Sequence, residues 1–257
     1  GAAVIRPGLI AVTAFLDHSL AIVDIKARRV VRTVDLSHIG LPRDDPAVAG
    51  RSYPYGVAVS GGRIFVTLAN LTDAYGGLTA AGPGMVAVLD AESCAVLATV
   101  ELSGADPVAA LAHGDKVYVA CAGHYDGDIA KPEASGFKGD GTIECIDALS
   151  LEHTGMTYNL AAAPFALTVS SAGVLYASNA MAGSVPRIDL QTGEISSIAT
   201  GGGFISSVLS VGDSLYALDF AQDRLMIIGT DGAVKSRRIA GDGPIAMVSL
   251  ADVAAEG

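Results

Sequence analysis

Apolar residues in this chain come in short runs separated by glycine-bearing turns, and the runs repeat in a fixed order. From Tyr55 the chain reads YGVAVSGGRIFVTLAN: an apolar segment, a turn over 60–62, then a second apolar segment. The same figure returns as PVAALAHGDKVYVACA from Pro107, PFALTVSSAGVLYASNA from Pro164 and FISSVLSVGDSLYALDF from Phe204. After a loop of variable length, each is followed by an apolar strand that ends near Asp and turns into another strand. These second figures are MVAVLDAESCAVLATVEL from Met85, TIECIDALSLEHTGMTYNL from Thr142, SVPRIDLQTGEISSIATG from Ser184 and RLMIIGTDGAVKSRRIA from Arg224. Apolar runs this short, bounded by turn residues, predict strands, and two successive figures make one four-stranded unit of A, B, C and D strands with tight A–B and C–D hairpins.

The chain ends complete the pattern. Residues 9–36, LIAVTAFLDHSLAIVDIKARRVVRTVDL, carry B, C and D strands with no A strand read before them, while 245–250, IAMVSL, read as an A strand with no B strand after it. Joined, they predict an all-β, five-bladed β-propeller of four-stranded antiparallel blades, closed by the C-terminal A strand pairing with the N-terminal B strand. The blades then fall at 9–36 plus 245–250, 55–102, 107–160, 164–200 and 204–240, in one domain over 1–257. Small residues in the A strands suit blades converging on an axis, and Arg29, Arg32, Lys235 and Arg237 in the D strands suit a solvated rim. Sharing a blade between the termini also removes an open strand edge. The alternative is a piece of a longer propeller.

The strands themselves resemble a known family. IFVTLAN at 64–70, VAVLDAESCAVLATV at 86–100, VYVA at 117–120, and LYASN at 175–179 followed by RIDLQT at 187–192 resemble the YVTN-type β-propeller repeat. The resemblance covers nearly the whole chain and departs where Gly229 stands in place of the usual Asp. It implies a bacterial or archaeal propeller, often exported or on the cell surface, from a family mostly without a known reaction. Related propellers include quinoprotein-type and lactonase-type enzymes, and fold alone carries none of those activities. The chain starts Gly1-Ala2-Ala3 without Met, which is read as a removed signal peptide and a periplasmic or extracellular location.

Alternating strand direction puts the A–B and C–D turns on one face, and the B–C loops and D–A links on the other. The first face has minimal turns. The second carries the long insertions 37–52, 71–83 and 124–140, and loops of that size on a rigid scaffold are where binding is usually built. The residues expected nearest an axial opening on that face include Tyr53, Tyr55, Asn70, His124, Tyr125, Asn179, Phe204 and Asp219 as ligand-binding candidates, with Phe15, Asp106, Phe165 and Gln222 beside them. Such an aromatic and amide-rich ring either holds a small ligand or peptide or plugs a narrow axis.

Composition narrows the partners. The chain is 51% hydrophobic and 17% charged with a net charge of −11, so it has ample core and no basic cluster for nucleic acid or anionic lipid. The longest apolar stretch, 160–181, is interrupted by Pro164 and polar residues, which excludes a helical membrane span. Cys94, Cys121 and Cys145 have no metal-ligand spacing and read as buried small hydrophobes. No nucleophile with its base and no phosphate-binding loop stands out.

The acidic loop DGDIAKPEASGFKGD, from Asp126 to Asp140, offers oxygen ligands for calcium, with Asp17, Asp126, Asp128 and Asp140 as metal candidates. The expectation is a non-catalytic binding or scaffold propeller whose insertion face engages a small ligand, glycan or protein, with no cofactor. The alternative is a lactonase-like metal-dependent hydrolase, or an oxidoreductase, with an axial divalent ion held by Asp17, Asn70, Asn179 and Asp219.

Overall fold

The computed structural model describes residues 1–39, 51–74, 77–126 and 136–248. The chain divides into two compact units, Gly1–Asn159 and Leu160–Gly257. The described residues form strands and turns without helix.

The first unit holds three four-stranded antiparallel sheets. Sheet 1 runs β1 (Ala2–Arg6), β2 (Leu9–Ala14), β3 (Ser19–Asp24), β4 (Arg29–Asp35) in sequence order. Sheet 2 is built from β5 (Pro54–Ser60), β6 (Arg63–Leu68), β9 (Pro83–Asp90) and β10 (Val96–Ala105), with the hairpin β7 (Leu71–Ala74)–β8 (Gly77–Ala80) inserted between its second and third strands. Sheet 3 repeats this plan with β11 (Pro107–His113), β12 (Lys116–Cys121), β15 (Thr142–Asp147) and β16 (His153–Asn159), and the short ladder β13 (Tyr125–Asp126)–β14 (Gly136–Phe137) inserted at the equivalent place. β13 lies beside β8.

The second unit holds two such sheets. Sheet 4 is β17 (Leu167–Val169), β18 (Val174–Ala177), β19 (Ser184–Asp189), β20 (Ile195–Ala199), and sheet 5 is β21 (Ile205–Val211), β22 (Ser214–Asp219), β23 (Arg224–Gly229), β24 (Val234–Ile239).

Sheet 1 corrects the expected pairing. Ala2, Ala3 and Val4 lie opposite Val12, Ala11 and Ile10, while β3 occupies the other edge of β2 from Leu9–Asp24 to Ala14–Ser19. With both edges of β2 filled, 245–250 has no place there. Residues 245–248 form no strand, Ile245 and Val248 are 70% and 77% exposed, and 249–250 lie outside the described residues. The missing A strand is Ala2–Arg6, returned by a Pro7–Gly8 turn in which Gly8 takes the left-handed conformation at φ 81°.

Strands buried on both faces explain the continuous apolar runs. In β6, Ile64, Val66 and Leu68 pack with Leu20 and Ile22 of the first sheet and Leu36 just after it, while Phe65 between them packs with Val117, Val119 and Ile146 of the third. In the second unit, Val185, Ile205, Leu215, Met226 and Ile228 form the equivalent layer. Sheets 2 and 3 meet closely at small residues: a Cβ on Gly56 of β5 would sit 2.7 Å from the Cα of Ala109 in β11.

One polar device recurs. The aspartate that ends the third strand accepts backbone N–H groups of the following turn: Asp24 from Ala27, Asp90 from Glu92 and Ser93, Asp147 from Leu149 and Ser150, Asp189 from Gln191 and Thr192. These bonds hold the carboxyls of Asp90, Asp147 and Asp189 below the ordinary value. Sheet 5 has Gly229 there, and Asp231 serves instead, accepting from Ala233 at 3.1 Å.

Candidate functional site

In the first unit the B–C and D–A connections gather at one end of the sheets. Residues 15–18 link β2 to β3, and residues 52–53 lead into β5. Tyr53, with φ 41°, is held by Ala69 N–H donating to its carbonyl at 3.2 Å, and its ring meets Phe15 at 4.9 Å and His18 at 4.5 Å. Burial, followed by the charge of Arg51, lowers the His18 pKa. The Tyr53 ring is almost wholly buried and packs on Ala69 and Leu71, so Tyr53 is a floor.

Tyr55 stands on that floor. Its ring is edge-on to Phe15 at 5.7 Å and the residue remains 40% exposed. Near enough to act on it electrostatically is Asp106, the single residue linking β10 to β11, held at φ 51°. Burial pushes the Asp106 carboxyl up to about 6, and burial together with Asp106 raises the Tyr55 phenol. Asn70, also left-handed at φ 51°, is buried; its Nδ2 donates to the Pro83 carbonyl at 2.7 Å, and its Oδ1 has no hydrogen-bond partner among the described residues.

The 124–140 insertion is anchored at its base. His124 places Nδ1 2.7 Å from Asp140 Oδ2 and donates its backbone N–H to Oδ1 at 2.9 Å. Burial raises the Asp140 pKa, and the His124 bonds outweigh it and leave the carboxyl below its ordinary range. A Cβ on Gly123, at φ 85°, would collide with that carboxylate, so only glycine fits beneath the pair. Tyr125, 40% exposed, packs edge-to-face on Phe137 at 5.1 Å. Asp17 is exposed on the β2–β3 turn, Asp126 pairs with Gly136 in the β13–β14 ladder, and Asp128 lies outside the described residues, as do 40–50 and 75–76 of the other insertions.

The remaining candidates belong to the second unit. Asn179 Oδ1 accepts from Ala163 and Met181 N–H, and its Nδ2 donates to Ser184 Oγ at 3.0 Å. Asp219, fully buried, accepts N–H groups of Gly203 and Gln222. Both side chains are therefore committed to closing their own loops. Phe204 packs between Phe165 at 6.2 Å and Phe220 at 5.4 Å.

Two features escaped sequence reasoning. Glu144 lies in the centre of β15 with no exposed surface, yet its carboxylate accepts from Ser103 N–H and Oγ at 2.9 and 3.0 Å, Gly104 N–H at 2.5 Å and Thr142 Oγ1 at 3.2 Å. His153 Nε2 sits 2.9 Å from Oε2, at ion-pair distance but off the angle of a hydrogen bond. This carboxylate ties the outer strand of sheet 2 to sheet 3. Its signal is a lone Glu inside the apolar run TIECID. The second feature is a cleft of about 240 Å³ between sheets 4 and 5, at the A–B and C–D turns.

No protein-family profile and no curated protein sequence matches the chain. Solved structures do. The chain is similar to hydrazine synthase of Kuenenia stuttgartiensis, with a TM-score of 0.66 at 17% identity over 94% of this chain and 65% of that one. It is also similar to virginiamycin B lyase from Staphylococcus aureus, with a TM-score of 0.63 at 14% identity over 92% of this chain and 68% of the other. The chain thus spans about two thirds of the length of the chains it matches. At such identities the similarity shows the fold alone: all-β, built of four-stranded antiparallel sheets, and β-propeller-like.

Proposed function

We propose that the five four-stranded sheets are successive blades of one propeller and that the protein is a binding module whose insertion-bearing face holds a small neutral ligand of the glycan class. The observation that carries this reading is Tyr55: an aromatic ring left 40% exposed above the Phe15–Tyr53 floor, within electrostatic reach of the desolvated carboxyl of Asp106. A ring face covers the apolar side of a sugar, and a half-buried carboxyl accepts its hydroxyls, which is the usual division between apolar lining and a few placed polar groups. The engagement of Asn179 and Asp219 with their own loops supports this role over an axial metal-dependent hydrolase, which needs such groups free for an ion. The recurrent Asp24, Asp90, Asp147 and Asp189 turns support the resemblance to the YVTN-type repeat, and with it an extracytoplasmic place of action.

An array of neutral oligosaccharides tests the reading. Binding is expected to weaken about tenfold or more in Tyr55→Ala while the melting temperature stays close to wild type. Binding that survives Tyr55→Ala, or the absence of any saturable hit, overturns it.

A further inference from the structure

The second unit offers a site of different chemistry at the opposite ends of its strands from the Phe204 cluster. The cleft between sheets 4 and 5 is walled by the Ser170–Ala172 turn, by Gly212–Ser214 and by Gly229–Thr230. Val174 and Leu215, both buried, and the half-buried ring of Tyr176 give it an apolar floor. Arg187, half-buried on β19 directly opposite Tyr176, is the one cation among the lining residues.

Arg187 has no carboxylate at ion-pair distance among the described residues. Asp189 is near enough to feel its charge, but Asp189 Oδ1 is committed to the N–H groups of Gln191 and Thr192. The hydroxyls of Ser214 and Thr230 hold no intramolecular bond among the described residues, and the Ser170 hydroxyl, which accepts from Val174 N–H at 3.2 Å, still has its own proton to donate. The wall is fixed across the sheets by Ser210 N–H donating to Thr168 Oγ1 at 3.0 Å.

We propose that this cleft binds a small monocarboxylate with a short apolar tail. A guanidinium presents two parallel donors that match a carboxylate, and the surrounding hydroxyls supply the remaining bonds. The 240 Å³ space holds the equivalent of about eight water molecules, which limits the guest to a few carbons beyond its carboxyl group. One cation, an exposed Asp213 at the rim and a chain charge of −11 favour a guest of single negative charge over phosphate or a polyanion.

The test is a titration of the full chain with butyrate, followed by calorimetry or amide chemical shifts, against butyramide and inorganic phosphate. Saturable butyrate binding is expected, with butyramide and phosphate at least about tenfold weaker. Arg187→Gln should weaken butyrate about tenfold or more, and Arg187→Lys should fall between because it keeps the charge but loses the fork. Thr230→Glu, on an exposed turn residue away from the core, should abolish binding without disturbing the fold, and it decides the matter should Arg187→Gln not melt cooperatively. Tyr55→Ala should leave butyrate binding intact, which separates this site from the insertion face. Equal affinity for butyramide, undiminished binding in Thr230→Glu, or no saturable response to butyrate overturns the proposal.

Discussion

Carboxylates in this protein are divided by environment into two groups with opposite dependence on pH. Asp90, Asp147 and Asp189 accept backbone N–H groups and sit below the ordinary 3.8, so the stability they give is present above that value and is lost as pH falls through their depressed pKa values. Asp106 behaves in reverse. Its folded-state pKa is raised to about 6 from 3.8 by burial, so its stabilising protonation is complete below 3.8 and is lost as pH rises through about 6. Asp106→Asn, which keeps the shape and tolerates the left-handed backbone at φ 51°, should therefore raise stability near neutral pH by about 1–3 kcal/mol and change little at about pH 3. Urea unfolding of both forms across that range checks it. The identity of these residues was visible in the sequence, but the sign of each effect was not. An Asp at or just past the end of an apolar strand looks the same whether backbone donors or apolar neighbours surround it, and only the three-dimensional packing distinguishes Asp189 from Asp106.

Strands were the legible level of this chain. Sheets 2 to 5 follow the A–B–C–D order expected from the apolar runs and their glycine turns, because a strand buried on both faces announces itself by composition. Ala2–Arg6, AAVIR, was missed although four of its five residues are apolar, because the run is short and its first residues read as a processed terminus; its signal was the Pro7–Gly8 turn that follows. Small residues in the A strands have the packing role expected of them. Gly56 of β5 faces the Ala109–Ala110 backbone of β11, and a Cβ there would sit 2.7 to 2.8 Å from main-chain atoms that cannot swing aside. Gly56→Ala should thus cost about 1–3 kcal/mol by forcing the first strands of sheets 2 and 3 apart. By contrast, Gly229→Ala meets the side-chain ends of Lys235 and Asp231, which can swing aside at the expense of the Asp231–Ala233 bond, and should cost less than Gly56→Ala; thermal denaturation of the two variants in parallel compares a rigid neighbour with a yielding one.

For the molecule as a whole, the decisive question is which segment completes the first sheet. Sequence order suggested 245–250, since a ring closed by its own ends leaves no open edge. The observed pairing gives that place to Ala2–Arg6, and Gly1 extends it, donating through its amino group to Thr13 Oγ1 at 2.7 Å and accepting from Thr13 N–H at 3.0 Å. The candidate site could not be read at this scale either. Its residues were grouped by strand position alone, and the structure brings Tyr53 and Tyr55 together on Phe15, leaves Asn70, His124 and Tyr125 with Pro83, Asp140 and Phe137, and has Asn179 and Asp219 of the second unit close their own loops. The two assignments of the edge strand make opposite predictions on truncation. Removing residues 1–6 strips β2 of a paired strand and should lower stability by about 3 kcal/mol or more, at roughly 1 kcal/mol for each ladder hydrogen bond lost, with the amides of Leu9–Ala14 exchanging faster. Removing 245–257 should leave protection of those same amides unchanged. Hydrogen exchange on the two truncated chains reads both effects at once, and loss of protection at Leu9–Ala14 only in the C-terminal truncation would restore the pairing that the sequence order suggested.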